Sequence, residues 1–382
     1  MLLYWIWLAT RPNMHEREKL AVLERFGKAE DVYFASEDAY SAVDGLGQAA
    51  LEDLGDKSLE AAKRILTNCE KRSIGILTWQ DGAYPARLKN ISDPPLLLYY
   101  KGLLPQMNEV PMIGIVGTRK ASAYGRNSAR QMGLEVALCG GTVVSGMAEG
   151  VDAMATEGAL SAGKTAVGVL GCGVDRVYPV SNRKLFRKME QQGCLISEYP
   201  PGTAPNKWNF PRRNRIISGM SCGVLVVEAP VKSGALITAR QALEQGRDVF
   251  VVPGNIDSAT CAGSNALLRD GATAALCGWH VVSEYQGAYP DKIHQADADI
   301  QDEPDKKSVD NGPAPSYSDL ETSADLSDDE RTVLGHLKGS EQNIDELIAE
   351  AGLTASAALA ALTMLEVKGY VQTLPGRRVV KK

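Results

Sequence analysis

Histidine is scarce in this chain: His15, His280, His294 and His336 are the only four among 382 residues, and they are scattered. No Ser-His-Asp set and no metal-ligand spacing can be assembled from them, which argues against triad hydrolysis and zinc chemistry. The seven cysteines include no Cys-x-x-Cys pair, and most fall in apolar stretches. They read as small buried hydrophobes in a reducing compartment, not as disulfides or metal ligands. The opening MLLYWIWLAT has nine apolar residues before Arg11, too few to span a bilayer, with no basic leader and no small-residue cleavage site. The expectation is a cytoplasmic protein without membrane insertion. Cofactor motifs are missing too. A dinucleotide site needs GxGxxG in the first strand-to-helix turn, whereas that turn reads GTRKAS and a GxxGxG occurs only at Gly168–Gly173. The nearest text to a Walker A loop, APVKSGALIT, lacks its pattern. Neither NAD nor ATP is supported, and no cofactor is expected.

Net charge is −6, which on its face disfavours a nucleic-acid partner. The acid is concentrated, however. Residues 286–330 hold thirteen acids and three bases, and the remainder of the chain is +4. The folded parts are mildly basic.

Residues 1–70 read as a helical module, with Leu20, Leu23 and Phe26 at helical spacing and one longer helix over Ala49–Thr67 after Gly45-Leu-Gly47. A Gly-x-Gly between helices gives the module a SAM/helix-hairpin-helix-like cast. Residues 71–110 lead into the main sheet, and the core, 71–285 in all, alternates strand and helix. Its strands are expected at Met112–Gly117, Thr142–Ser145, Thr165–Leu170, Cys194–Ser197, Gly223–Glu228 and Asp248–Val252, with a helix at Asn127–Leu138. Near-continuous apolar strands separated by helices imply an α/β fold with a doubly wound, Rossmann-like parallel sheet. Residues 286–325 read as an acidic flexible linker. Residues 326–382 follow a winged-helix plan. Ser327–Glu330 caps a first helix, Asn343 with Glu346 a second, and Thr354 precedes a third; a strand–turn–strand then carries Arg377, Arg378, Lys381 and Lys382.

In a doubly wound sheet the ligand crevice lies beyond the carboxyl ends of the strands. The turns rich in glycine and polar residues fall there: Gly117–Ser122, Ser145–Gly150, Gly171–Asn182 and Lys232–Gly234. Each sends a strand into a helix N-terminus, so free N–H groups converge on one rim, with Ser122 and Ser181 as candidate caps. The stretch WNFPRRNRIISGMSCGVLVVE supplies the charge. Arg212, Arg213 and Arg215 with Asn214 crowd the start of a helix, where they repel one another unless an anion sits among them. Trp208 and Phe210 stand beside them, and backbone contact combined with base stacking needs that mixture. Single-stranded nucleic acid is the expected ligand.

The blocks GIVGTRKASAYG, VVSGMAEGVDAMATEGAL, LGCGVDRVYP, SEYPPGTAPNKWNFPRRNRIISG, KSGALITARQALEQGRDVFVVPG and GSNALLRDGA, in this order from about Ile74 to Ala275, closely resemble the DNA-processing protein A (DprA/Smf) family. The resemblance implies a non-catalytic bacterial protein that binds single-stranded DNA and passes it to the recombinase RecA during natural transformation, as a homodimer through its core. Carried over by motif, Gly117, Thr118 and Arg119 would hold a phosphate beside Ser145 and Gly146. Lys184 would hold a neighbouring phosphate, and Arg212, Arg213 and Asn214 would line the remaining wall. The core is also similar to phosphoribohydrolases of the lysine-decarboxylase-like (LOG) group, the alternative reading. That group needs an acid in a PGGxGTxxE turn, and here KSGALITAR places Arg240 near its position, leaving Glu149 and Asp152 as the carboxylates available for acid–base work.

Overall fold

The structure is a computed structural model that describes residues 1–295, 326–337, 342–368, 370–374 and 378–381. It divides into two compact units, Met1–Ile300 and Gln301–Lys382.

The first unit opens with helices α1 (Leu2–Ala9), α2 (Glu16–Phe26), α3 (Ala29–Phe34), α4 (Glu37–Ser41), α5 (Gln48–Gly55) and α6 (Glu60–Lys71). The single helix expected over Ala49–Thr67 is two helices. Asp56 breaks it: its carboxylate takes the Ser58 N–H at 2.9 Å, while its carbonyl accepts from Trp7 Nε1 at 2.9 Å. That tie fixes α1 against the break, and Trp7 is wholly buried. A short lead-in follows, with β1 (Gly75–Thr78), α7 (Ala86–Lys89) and β2 (Leu97–Gly102).

The alternating region is β3 (Met112–Val116), α8 (Ala123–Leu138), β4 (Thr142–Ser145), α9 (Val151–Ser161), β5 (Val167–Val169), α10 (Arg183–Gln192), β6 (Cys194–Ser197), α11 (Asn209–Met220), β7 (Gly223–Val226), α12 (Gly234–Glu244), β8 (Asp248–Val251), α13 (Ala262–Arg269), β9 (Thr273–Ala274) and α14 (Gly278–Val282). The nine strands form one sheet in the order β1-β2-β6-β5-β4-β3-β7-β8-β9. The run from β6 to β9 is parallel throughout, while β1 and β2 add on antiparallel at the edge beside β6.

Strand pleating divides the core into two layers. Ile113 and Ile115 of β3 face one layer with α8, α9, α10, α14 and the N-terminal helices, whereas Met112 and Val116 face the other with α7, α11 and α12. Period-2 alternation of apolar side chains on both faces is what a sheet covered by helices on both sides requires. Packing continues past Tyr285, the expected end of the core. Ile293 is buried in the first layer, and the Arg87 guanidinium donates to the Tyr289 hydroxyl at 3.2 Å. The first residues of the expected linker are therefore part of the fold, and residues 296–325 lie outside the described residues.

The second unit contains α15 (Asp328–His336), β10 (Gln342–Asn343), α16 (Ile344–Ala351), α17 (Ala355–Val367), β11 (Val371–Leu374) and β12 (Arg378–Lys381), its strands ordered β10-β12-β11. The capping box is present: the Ser327 hydroxyl accepts from Glu330 N–H, and the Glu330 carboxylate accepts from Ser327 N–H at 2.7 Å. Asn343 caps α16 by accepting from Asp345 N–H rather than pairing with Glu346, and Thr354 caps α17. Arg377 and Lys382 of the expected basic hairpin lie outside the described residues.

Candidate nucleic-acid interface

Strands β3 and β7 are neighbours, yet their crossovers leave for opposite sides. From β3 the chain runs through α8 in one layer to β4, and from β7 it runs through α12 in the other layer to β8. Turns diverging in this way leave a crevice between them at the strands' carboxyl ends. A cleft of about 480 Å³ opens there. Gly117, Thr118 and Arg119 after β3, Ala148 and Asp152 after β4, and Tyr178 after β5 form part of its lining. Lys207, Phe210, Arg213 and Asn214 around the start of α11, and Lys232 and Ser233 after β7, complete the polar and aromatic wall.

An aromatic platform crosses this wall. The Tyr178 and Phe210 rings stack at 5.3 Å between centroids, inclined by 29°, and the Arg119 guanidinium sits 5.6 Å from the Phe210 centroid. A cation over a ring face is held there by the ring's quadrupole, and stays solvated enough to meet an anion. Trp208 projects beside the cleft at 72 % exposure, with the Lys207 ammonium 5.0 Å from its ring. Rings with cations on or beside them are the surface elements that hold bases and phosphates together.

The floor is built from charges that serve the fold. Arg213, at 4 % exposure, donates from Nη1 to the carbonyls of Gly146 (2.7 Å) and Val169, so one side chain ties the end of β4 to the end of β5. Asp152 accepts from Gly146 N–H at 3.1 Å. Gly146 lies between them: a Cβ there would come within 2.6 Å of both the guanidinium and the carboxylate. Burial pushes the Asp152 carboxyl up, opposed by Arg213 and by backbone N–H donors, and burial draws Arg213 down to about 10. The start of α8 is filled as well. The Ser122 hydroxyl accepts from Gly125 N–H at 3.0 Å, and the wholly buried Glu228 carboxylate accepts from Ser122 N–H at 2.9 Å and from its hydroxyl at 3.2 Å. Gly125 makes room, since a Cβ there would lie 1.8 Å from Glu228 Oε2. The start of α8 and the turn after β4 therefore do not present rows of free N–H groups. Protein carboxylates occupy the ends nearest β3 and β4, and the seat where a dinucleotide's pyrophosphate rests in such folds is taken by Glu228.

Residues 75–286 match the family model described as DNA recombination-mediator protein A, and residues 318–377 match the DprA winged helix domain. The chain belongs to the DNA recombination-mediator protein A family. Protein Smf of Synechocystis is 33 % identical over 372 residues, covering 94 % of this chain and 93 % of its own. The DNA processing protein DprA of Bacillus subtilis is 40 % identical over 231 residues, covering 60 % of this chain and 78 % of its own. An X-ray structure of DNA processing protein A from Streptococcus pneumoniae superposes with a TM-score of 0.66 at 31 % identity, covering 74 % of this chain and 98 % of that one. A structure of the Helicobacter pylori protein, described for its single-stranded DNA binding mode, gives 0.51 at 29 % identity, covering 56 % of this chain and 97 % of that one.

Within this family member the structure gathers part of the expected set at the cleft and sends the rest elsewhere. Gly117, Thr118, Arg119, Phe210, Arg213 and Asn214 line it, and Gly146 lines its smaller adjoining recess. Arg213 lines it as a buried floor residue with its guanidinium already committed to carbonyls, not as a free wall cation. Ser145 is fully buried and donates to the Ile115 carbonyl at 2.8 Å, so its hydroxyl belongs to the sheet. Lys184 is exposed in the first turn of α10, outside the residues that line the cleft. Arg212 is not among the residues that line the cleft. It pairs with Glu16 of α2 at 2.8 Å, and Arg215 is buried against Glu198 (2.7 Å) and Asp93 (2.9 Å). The expected repulsion among the three arginines is relieved by four separate protein acids, so no bound anion is needed to hold them. The Ser181 hydroxyl donates to Glu149 Oε1 instead of capping α10. Tyr178, Lys207 and Lys232 were not singled out by sequence reasoning. Their signal was position alone, each lying in or beside a turn at a strand's carboxyl end. Among the described residues no cluster of His, Cys, Asp or Glu fits a metal ion, and no single helix is long and apolar enough to cross a membrane.

Proposed function

We propose that this chain binds single-stranded DNA across the cleft and passes it to the recombinase RecA during natural transformation, acting in the cytoplasm without catalysis of its own. The observation that carries the reading is the Arg119–Phe210–Tyr178 stack in a cleft at the sheet's switch point. A base lies against the rings while Arg119 and the Gly117–Thr118 turn meet phosphate, and Asn214 and Lys232 contact the flanking nucleotides. Lys184, on the exposed first turn of α10, takes a neighbouring phosphate. The kinship with the Helicobacter pylori protein supports this choice of ligand.

The carboxylates that a LOG-like hydrolase would use are engaged here: Asp152 holds Gly146 N–H, and Glu149 accepts from Ser181. That favours a binder over a hydrolase. In this scheme the helical module and the winged helix serve the strand-binding core, and two copies pair through their cores. Ile256 and Leu276, 88 % and 71 % exposed just beyond the carboxyl ends of the adjacent strands β8 and β9, suit burial by a second copy.

Titration of a labelled oligothymidylate at two salt concentrations, with light scattering for mass, tests the proposal. Salt-sensitive binding that prefers single strands over duplex is expected. Absence of binding at low salt, or release of free base from a nucleoside monophosphate, refutes it.

A further inference from the structure

The turn after β4 is the most constrained stretch of the cleft. Met147 adopts φ 57°, a left-handed conformation that costs a side-chain-bearing residue about 1 kcal/mol or more. Its side chain is fully buried, and the fit is close enough that a Cβ on Gly168 would come within 2.6 Å of Met147 Cγ. Beside Arg213 at the Gly146 carbonyl, a second side chain from outside the turn braces its backbone. Asn182 Nδ2 donates to the Met147 carbonyl at 3.1 Å and to the Ala148 carbonyl at 3.2 Å. Next to it the Ser181 hydroxyl donates to Glu149, so two consecutive residues tether the segment before α10 to three consecutive residues of the turn. That segment carries Tyr178, half of the aromatic stack, four residues ahead of Asn182, and Lys184 two residues behind it.

From these contacts we infer that Asn182 is a positioning residue for strand binding: its amide sets where Lys184 stands relative to the Arg119 turn. This rests on the strand-binding reading above and deepens it. The sugar–phosphate link bounds the distance between successive backbone phosphates, so two cations serve neighbouring phosphates only if the elements bearing them are held within that reach. Arg119 leaves the end of β3 and Lys184 opens α10, two elements far apart in the chain. The β4 turn lies between them: Gly150 packs against the Thr118 and Arg119 carbonyls on one side, and Asn182 holds the turn on the other. An amide suits this place because it presents two N–H donors to two carbonyl oxygens. A carboxylate there would oppose oxygen to oxygen.

The test is a double-variant cycle read by fluorescence anisotropy with a labelled oligothymidylate over a salt series, with thermal melts alongside. Asn182→Ala is expected to weaken binding about five- to tenfold and to flatten the log–log salt slope by about 0.7, the share of one phosphate on a single strand. Lys184→Ala should do the same, and the double variant should bind within about twofold of Lys184→Ala alone, because both changes remove one contact. Ser181→Ala, which cuts only the exposed tie to Glu149, should move the slope in the same direction, and it serves as the readout if Asn182→Ala melts far below wild type. Wild-type protein that does not bind at low salt sinks the strand-binding reading itself. Wild-type binding accompanied by an unchanged Lys184→Ala, by an unchanged slope in Asn182→Ala or Ser181→Ala, or by losses that multiply in the double variant overturns the positioning role alone.

Discussion

Replacing Arg213 by Met separates two pictures of the arginine cluster. If Arg213 is a wall cation, the variant folds normally and binds nucleic acid poorly. The structure requires the opposite order of effects. Its guanidinium satisfies the buried carbonyls of Gly146 and Val169 and offsets the charge of Asp152 across Gly146. Orphaning a buried carbonyl costs about 1–3 kcal/mol, and removing one partner of a buried charge pair about 3–5 kcal/mol. These overlap, so the expected loss is about 4 kcal/mol. All five tryptophans, Trp5, Trp7, Trp79, Trp208 and Trp279, lie in Met1–Ile300, so fluorescence during urea denaturation follows that unit. With a slope near 3 kcal/mol per molar the midpoint should fall by about 1 M.

The loss should also depend on pH. Burial raises the folded-state pKa of Asp152, and Arg213 opposes the rise. Without Arg213 it rises further. A carboxyl whose folded pKa lies above its unfolded value favours the fold below the unfolded pKa, near 4, and that benefit disappears as pH climbs through the folded value. The deficit of Arg213→Met should therefore grow as pH climbs past the wild-type folded value of Asp152, which already lies above the unfolded one, and adding Asp152→Asn should abolish that growth. A variant with the wild-type midpoint and impaired oligonucleotide binding refutes the structural assignment.

Arg119→Ala should leave the melting temperature unchanged, since the residue is exposed, while weakening oligonucleotide binding about tenfold and flattening its salt slope. Arg212→Ala should do the reverse of what its neighbours in sequence suggest. Its half-exposed pair with Glu16 contributes at most about 1 kcal/mol, so binding should persist while hydrogen exchange speeds up in α2. In the winged-helix unit, Lys368 and Ser327 N–H hold the Glu330 carboxyl below its usual range. Its stabilising effect is present above the unfolded pKa and is lost as pH falls through the lower folded value. Exchange in α15 should rise on acidification there, and Glu330→Gln should remove that dependence.

Strands were the most legible feature of the sequence, and two of them, Thr142–Ser145 and Cys194–Ser197, lie where their apolar runs begin and end. Apolar side chains facing both layers leave little choice of register. The switch-point cleft followed from the same alternation. What could not be read were partnerships made by folding. Arg212, Arg213 and Arg215 are neighbours in the chain, but about 100° of helical rotation per residue aims them differently. Arg212 finds Glu16 across 196 positions, and Arg215 finds Asp93 across 122. The break between α5 and α6 was hidden in the same way, because its stabilising donor is Trp7, 49 residues away. Glu228 looked like the tail of a buried strand, and only its contact with Ser122, 106 residues away, shows that it closes the start of α8.

That closure decides how anything can dock. A ligand that plugs end-on into the start of α8 would have to evict the carboxylate that holds the capping Ser122 by its N–H and its hydroxyl. The open surface instead runs sideways, from one loop to the next. A long polymer can settle along such a ledge and lift away again at any point of its length, with neither of its ends ever having to be threaded.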